Sequence, residues 1–361
     1  MKNEDIKIVE NLRYSEDTFI IRWNITKLCN YSCDFCIQGN KEKHINDSIG
    51  ESNEIRKKIA EKIVVFIENS LNHQYRYLHI YLIGGEVMIL KNFNEIFNIL
   101  LNTNFLGDIQ FHITTNLSTD IKILKELKDN FQNMKSNYSR KLSISASYYK
   151  EFANEKEFIE KVKMLHASSN ITYYLASKKQ HFQTKRLYDK VVFKILDAIS
   201  KNKSVITVSV RYPLVEDNDY NDYRIFQKKY SKYADSIHYV IIRNYKKIIS
   251  SKLKEKLSRD NNKKIKVTLK NEKNYYFSST SKIDLLLENN KCFNPFGFSC
   301  DSGVNSLSIG NLGVVSRCPS CAKETVVGNI LKDDIKLLKE NMICPSQSCS
   351  CDYYHKIKNN N

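Results

Sequence analysis

Hydrophobic and polar positions alternate along residues 18–235 with two different periods. Residues 18–25 form a short apolar run typical of a buried strand, and residues 53–72 follow with isoleucines spaced along one face of a helix. The same alternation predicts further strands at 77–83, 109–114, 142–147, 171–176 and 204–211, and helices at about 91–103, 119–133, 154–168, 182–201 and 219–235. Six strand–helix units in series predict an α/β fold with parallel strands joined by right-handed crossovers.

The pattern changes after residue 235. Short strands are predicted at 237–242, 264–269 and 274–277, and a short helix at 282–288. The last seventy residues hold seven of the ten cysteines and too little apolar periodicity for an independent core, so this segment needs a metal centre or another cross-link. The expected organisation is a lead-in at 1–17, a β/α domain at 18–235, a basic bridging segment at 236–290, a small cysteine-rich α+β domain at 291–355 and a disordered tail at 356–361.

Composition and charge narrow the class of protein. No apolar stretch approaches the ~18 residues that span a bilayer, and the charged start is unlike a signal peptide, so we expect a cytoplasmic protein without a membrane partner. In a reducing compartment, ten cysteines are free for metals or catalysis. The net charge of +17 comes mainly from Lys rather than Arg, which favours a solvated surface over a nucleic-acid partner. Residues 246–273 alone carry +8, which would suit an acidic partner or a solvated linker.

Three cysteines form the first candidate site. Cys29, Cys33 and Cys36 lie within eight residues, directly after the first predicted strand. Structural zinc needs four ligands, and the next Cys or His is His44. An iron–sulfur cube held by only three thiolates would keep one iron open for another ligand. The spacing therefore favours an iron–sulfur centre with an open position.

This spacing, with Phe35 before the last cysteine, resembles the signature of the radical S-adenosylmethionine (radical SAM) superfamily. Gly84-Gly85-Glu86, at the end of the second predicted strand, is similar to the superfamily's Gly-Gly-Glu-Pro motif for the amino group of S-adenosylmethionine (SAM), with Val87 in place of the proline. Without the family, two glycines at a strand end indicate a tight turn. The resemblance covers about residues 18–351 and implies a partial (β/α)6 TIM-like barrel, a [4Fe–4S] cluster and SAM, with Phe35 beside the cofactor.

Polar residues at other strand ends complete the expected cofactor site. Asn116 follows the third strand, Ser145 and Ser147 end the fourth, and Arg211 ends the sixth. These ends converge on one face of a barrel, where they could bind the ribose and carboxylate of SAM, and the resemblance implies a strand-four hydroxyl for the ribose. A helix cap for Asn116, backbone hydrogen bonds for the serines and a surface ion pair for Arg211 are the alternatives.

The C-terminal cysteines form a second candidate site. Cys300 and Cys318 flank a predicted hairpin with Gly313 in its turn, and this pattern resembles the SPASM and twitch extensions of radical SAM enzymes, which bind an auxiliary [4Fe–4S] cluster. Residues 327–330, followed by a short helix, are similar to the next segment of those extensions. The remaining two ligands would come from four candidates, Cys321, Cys344, Cys349 and Cys351. A zinc ribbon is the alternative, and Cys292 is expected to be a buried non-ligand.

The resemblance implies reductive cleavage of SAM to a 5′-deoxyadenosyl radical that abstracts a hydrogen atom from a substrate. The implied electron donor is a reductase or a flavodoxin- or ferredoxin-type protein. Such extensions occur in enzymes that modify peptides or proteins, which is the class we expect. Oxidation or epimerisation of a sugar, cyclitol or nucleoside is the first alternative. A non-enzymatic zinc or iron–sulfur protein is the second, although it would leave the Gly84–Glu86 motif unexplained.

Overall fold

The computed structural model describes residues 2–33, 36, 49–134, 136–149, 151–166, 204–214, 217–231, 234, 236–241, 264–277, 283–284, 287, 293–320, 322–349, 352 and 354–359. Of residues 204, 205, 208, 210–214, 217–220 and 236–241 it describes the backbone alone. The predicted strand at 171–176, the predicted helix at 182–201 and most of the basic segment 246–273 lie outside the described residues. None of the described helices is long and apolar enough to cross a bilayer.

The larger of two sheets has nine strands. Six of them are parallel and adjacent in the order β2 to β7, and alternate with helices along the chain: β2 (Thr18–Thr26), α1 (Asn53–Ser70), β3 (Tyr77–Gly84), α2 (Phe93–Leu101), β4 (Asp108–Thr115), α3 (Ile121–Asn133), β5 (Arg140–Ser147), α4 (Glu155–His166), β6 (Ser204–Leu214), α5 (Asp217–Tyr230) and β7 (Ser236–Ile241). The predicted α/β fold is confirmed.

Strand pairing corrects the predicted strand order at one place. β5 pairs directly with β6, so no strand lies between Arg140–Ser147 and Ser204–Leu214 in this sheet. The sixth parallel strand is β7, which we had expected in the bridging segment. A short apolar run carries the same period whether its partner is parallel or antiparallel, so its pairing was not visible in the sequence.

Strands β2 to β5 bury one side against the helices. The alternate positions that include Trp23, Leu82 and Phe111 pack with Ile63 of α1 and Phe97 of α2 in the main hydrophobic core. The intervening positions face the other way, because successive side chains in a strand point to opposite faces. We call that second surface the open face of the sheet.

The C-terminal hairpin extends the same sheet beyond β2. It comprises β11 (Ser306–Ile309) and β12 (Val314–Ser316), and β13 (Val326–Asn329) follows. β11 pairs in parallel with β2, and Gly313 in the turn has φ +82°, which favours glycine. The predicted hairpin is confirmed. The expected short helix after residue 330 does not form, because Asp333 bonds back to the Asn329 backbone and closes a turn.

The second sheet has six antiparallel strands and joins distant parts of the chain. Its order is β14 (Met342–Ile343), β10 (Ser299–Cys300), β15 (Lys356–Lys358), β1 (Ile6–Asn11), β8 (Ile265–Leu269) and β9 (Asn274–Phe277). The expected disordered tail is therefore wrong for residues 356–358. Ile357 is buried, and Nδ2 of the Asn359 side chain donates to the Ile6 carbonyl at 3.0 Å. This strand is too short to show a period-2 pattern.

Candidate active site

The first cysteine group lies on the loop after β2, which we call the cysteine loop (residues 27–36). Cys29, Cys33 and Cys36 are all partly exposed. The Cys36 amide donates to the Cys33 carbonyl at 3.0 Å, and the Tyr31 amide donates to Cys29 Sγ at 3.5 Å. Amide donors to sulfur favour the thiolate form that a metal centre requires. Phe35 lies outside the described residues.

Burial and the neighbouring sulfurs raise the pKa of two of the three thiols, Cys29 and Cys33. Burial raises the pKa of Cys33 to about 12, and the neighbouring Cys29 and Cys36 add to the shift. Burial also raises the pKa of Cys29. Such a group of mutually repelling sulfurs fits a cationic iron centre, whose charge would stabilise all three thiolates. Among the described residues, no three Cys, His, Asp or Glu side chains converge closely enough to coordinate a single ion.

The glycine pair after β3 supports the cysteine loop. The Gly85 amide donates to the Thr26 carbonyl at 2.9 Å, and the Glu86 amide donates to the Leu28 carbonyl at 2.8 Å. A Cβ atom on Gly84 would lie 2.3 Å from the Thr26 carbonyl oxygen, and one on Gly85 only 2.0 Å from that of Leu28. The loop backbone can approach this closely only because both side chains are absent.

Glu86 follows the glycine pair and lies inside the protein. Its carboxylate is fully buried and accepts hydrogen bonds from the Met88 amide at 3.0 Å, the Thr115 hydroxyl at 2.7 Å and the Asn116 amide at 2.5 Å. Burial raises its pKa to about 7, although these donors oppose the shift. The Glu86 side chain thus ties the end of β3 to the end of β4, and a contact between this residue and the cofactor stays a prediction.

Asn116 is likewise engaged with the protein. Its Nδ2 atom donates to Asn30 Oδ1 at 3.1 Å, and its Oδ1 atom accepts from the Ser118 amide at 2.9 Å. Since Asn30 lies between the cysteines, Asn116 connects the end of β4 to the cysteine loop. A contact between Asn116 and the cofactor stays a prediction.

The predicted residues of β5 and β6 lie side by side at the same end of the sheet. Ser145 pairs with Ser209, and Ser147 pairs with Arg211. Ser145 is partly exposed on the open face, whereas Ser147 is buried. For Arg211 the structure describes only the backbone. A hydroxyl for a ribose therefore remains a prediction, with Ser145 the more accessible of the two.

Glu51 supports the cysteine loop and was missed in the sequence. One carboxylate oxygen accepts from the Lys27 amide at 2.8 Å and from Asn311 Nδ2 at 2.9 Å; the other accepts from the Thr26 hydroxyl at 2.5 Å and from Arg56 at 2.6 Å. The Glu51 side chain is only 1% exposed and that of Arg56 5%. This buried ion pair joins the base of the loop, the start of α1 and the turn of the C-terminal hairpin.

The second cysteine group forms part of a separate core. Four buried cysteines share it with Phe293, Phe298 and Tyr354, and these are Cys300, Cys318, Cys344 and Cys349. The Cys344 amide donates to the Phe298 carbonyl at 2.8 Å, and the Ser320 amide donates to Cys318 Sγ at 3.4 Å.

Burial raises the pKa of Cys300 well above its usual value, and Asp301 and the nearby Cys318 add to the shift. The thiol is therefore neutral without a metal. A metal cation would supply the positive charge that allows it to lose its proton and become a ligand. Cys292, Cys321 and Cys351 lie outside the described residues, so their expected roles remain predictions.

The first site lies in a segment that matches a known protein family. Residues 23–136 match the radical SAM superfamily. This segment contains the cysteine loop and the glycine pair, so the chain carries a radical SAM domain. The match implies a [4Fe–4S] cluster and SAM for this segment.

Two solved structures are similar. One is SuiB of Streptococcus suis bound to S-adenosylmethionine, with 13% identity, a TM-score of 0.38 and coverage of 88% of this chain and 62% of SuiB. The other is BtrN in complex with AdoMet and 2-DOIA, with 11% identity, a TM-score of 0.37 and coverage of 87% of this chain and 78% of BtrN. The chain thus spans less than two thirds of the length of SuiB. No curated protein sequence matches it.

Proposed function

We propose that Cys29, Cys33 and Cys36 hold a [4Fe–4S] cluster whose open iron binds SAM. When bound, this group supplies a 5′-deoxyadenosyl radical by reductive cleavage of SAM, and the radical abstracts a hydrogen atom from the substrate. The observation that carries the proposal is the close docking of the cysteine loop on Gly84 and Gly85 inside the matched domain.

Residues of the chain would hold the loop and limit the access of water. Glu51 fixes the base of the loop, and Asn116 fixes its middle through Asn30. Tyr31, within the loop, stacks on Phe152 with ring centroids 5.0 Å apart and meets Tyr149 edge-on at 6.1 Å. These rings would shield one side of the loop from solvent. A reductase or a flavodoxin- or ferredoxin-type donor would supply the electron.

We further propose an auxiliary [4Fe–4S] cluster in the second core, bound by Cys300, Cys318, Cys344 and Cys349. Support comes from their shared burial and from the amide donor to Cys318. Four thiolates match the ligand requirement of a closed cube. Structural zinc also takes four ligands, so metal analysis must decide between an iron–sulfur cluster and zinc.

The substrate class remains our expectation of a peptide or protein. One observation favours a small molecule such as a sugar, cyclitol or nucleoside instead: the open face of the sheet carries polar side chains, including Gln110, Ser143 and Ser145, at positions that are partly exposed. Hydroxyl-rich ligands are suited to such a surface.

The deciding experiment is anaerobic purification, followed by iron and sulfide analysis and by incubation with SAM and a reductant. We expect about eight iron atoms for two cubes, together with formation of 5′-deoxyadenosine. Bound zinc without iron would refute both cluster assignments.

Two multiple variants separate the sites. Replacing Cys29, Cys33 and Cys36 with Ala should abolish 5′-deoxyadenosine formation and leave about four iron atoms. Replacing Cys344 and Cys349 with Ala should remove iron from the second site while SAM cleavage persists. If the first variant still forms 5′-deoxyadenosine, the roles assigned to the two groups are wrong.

A further inference from the structure

Strand β2, which leads into the cysteine loop, has a different neighbour on each side. β3 lies on one side, and β11 of the C-terminal hairpin lies on the other. The β3 side supports the loop through the glycine pair. On the β11 side the last paired residues are Ile309 and Trp23, so the turn that follows Ile309 lies beside the end of β2. The hairpin turn and the glycine pair therefore flank the base of the cysteine loop.

Glu51 connects this turn to the cysteine loop. One of its carboxylate oxygens accepts from Asn311 Nδ2 in the turn at 2.9 Å and from the Lys27 amide at 2.8 Å. The other oxygen accepts from the Thr26 hydroxyl, whose own oxygen accepts from the Leu28 amide at 3.0 Å. Glu51 thus fixes, directly or through Thr26, the two backbone amides that come just before the first cysteine.

An apolar contact supports the same junction. Gly50 has φ +86°, a backbone conformation that glycine adopts more readily than other residues. A Cβ atom on Gly50 would lie 3.8 Å from Leu312 Cδ2, which is an ordinary van der Waals distance, so Leu312 covers this position. Segment 50–51 is therefore held against the hairpin turn by an apolar contact as well as by the hydrogen bond from Asn311.

The turn belongs to a different part of the chain from the loop that it supports. The segment that matches the radical SAM superfamily ends at residue 136, whereas Asn311 lies far beyond it. The hairpin that carries Asn311 leads into the second core, because Cys318 lies two residues after the end of β12. The cysteine loop of the first site is thus held partly by the C-terminal segment that carries the second cysteine group.

We propose that Asn311 is a positioning residue for the first metal site, and that it holds the cysteine loop in place through Glu51. Its hydrogen bond orients one carboxylate oxygen of Glu51 towards the Lys27 amide, and the loop is thereby set against the glycine pair. The first metal site is complete only when the C-terminal hairpin is docked on β2. This inference rests on the proposed function, because the metal that the loop holds is the proposed cluster.

Hydrogen–deuterium exchange of the full-length chain, read by mass spectrometry of short fragments, tests the contact without metal. In Asn311→Ala we expect the Lys27 and Leu28 amides to exchange about tenfold faster than in the wild type, since the buried carboxylate of Glu51 loses a donor that orients it. Asn311→Gln keeps an amide donor and should restore part of the protection. Unchanged exchange of both amides in Asn311→Ala would overturn the proposal.

The matched control is Asn329→Ala. Asn329 Nδ2 donates to the Leu312 carbonyl at 3.1 Å, so this variant weakens the same turn through a different bond. Its Lys27 and Leu28 amides should exchange as in the wild type. Equally fast exchange in Asn329→Ala and Asn311→Ala would also overturn the proposal, because it would show a general loosening of the hairpin rather than a specific role of Asn311.

Iron release gives the second readout, in the Cys344→Ala/Cys349→Ala background, where only the first site should hold iron. Adding Asn311→Ala to this background should speed the transfer of iron to a chelator about tenfold, whereas adding Asn329→Ala should leave the rate unchanged. An unchanged rate with Asn311→Ala would refute the positioning role. A background protein that binds no iron would instead refute the proposed function, and the exchange measurements would still decide the role of Asn311.

Discussion

The buried ion pair between Glu51 and Arg56 gives the most quantitative test of how the cysteine loop is supported. Glu51→Gln removes the negative charge and leaves the guanidinium of Arg56, itself 5% exposed, without a counter-charge. Breaking a buried pair on one side costs about 3–5 kcal/mol. A whole domain is stable by only about 5–15 kcal/mol, so this single change should be easily detected.

Urea unfolding of the purified chain measures the effect. We expect the free energy of unfolding of Glu51→Gln to fall by about 3 kcal/mol, with a lower midpoint and an unchanged slope. The matched control is Glu54→Gln, an exposed residue in the first turn of α1, which should stay within about 0.5 kcal/mol of the wild type. The double variant Glu51→Gln/Arg56→Met should recover part of the loss, because no unpaired charge remains.

The same variant should also weaken the first metal site, because Thr26 and Lys27 lose an anionic acceptor at the base of the cysteine loop. Iron retained after gel filtration should therefore fall in Glu51→Gln and stay at the wild-type level in Glu54→Gln. Equal unfolding midpoints for the two single variants would refute the reasoning, since they would show that the buried pair contributes nothing measurable.

Three further outcomes follow from the geometry. Gly85→Ala should displace the cysteine loop and remove iron from the first site, whereas Gly310→Ala, whose Cβ would meet nothing closer than 3.5 Å, should retain it in the same assay. The folded-state pKa of Glu86 is raised to about 7, so its contribution to stability is fully present below pH 4.5 and is lost as the pH rises through 7. The free energy of unfolding should therefore fall by up to about 3 kcal/mol between pH 5 and 8. Urea titrations should show this fall in the wild type and not in Glu86→Gln. Deleting residues 356–361 should lower the thermal midpoint, because β15 lies between β1 and β10, and an unchanged midpoint would contradict that role.

The sequence predicted the parts of the molecule that depend on local patterns. The strand at 77–83 and the glycines after it could be placed because a period-2 run and a turn signal lie next to each other. Their position beside the cysteine loop followed from the rule that parallel strands converge at their carboxyl ends. The predicted N-terminal boundaries of the β/α units agree with the structure to within a few residues for the described elements.

Long-range contacts account for what could not be predicted. Glu51 meets Asn311, 260 positions further along the chain, and no local pattern marks either residue. The complete burial of Glu86 could not be predicted either, because it depends on Thr115 at the end of a neighbouring strand. Strand β7 and strand β15 were misassigned for the same reason, since a strand's partner is fixed by tertiary packing rather than by its own residues.

The second sheet has a consequence for synthesis in the cell. Strand β1 is synthesised well before its neighbour β15, because the Ile6 carbonyl accepts from the side chain of Asn359, 353 positions further along the chain. This edge of β1 has no partner until residues 356–358 have been made. Until then one edge of β1 is open to non-native association, a hazard that chaperones commonly manage. The core around Cys300 and Cys344 closes at the same late stage, so metal delivery to it would be post-translational.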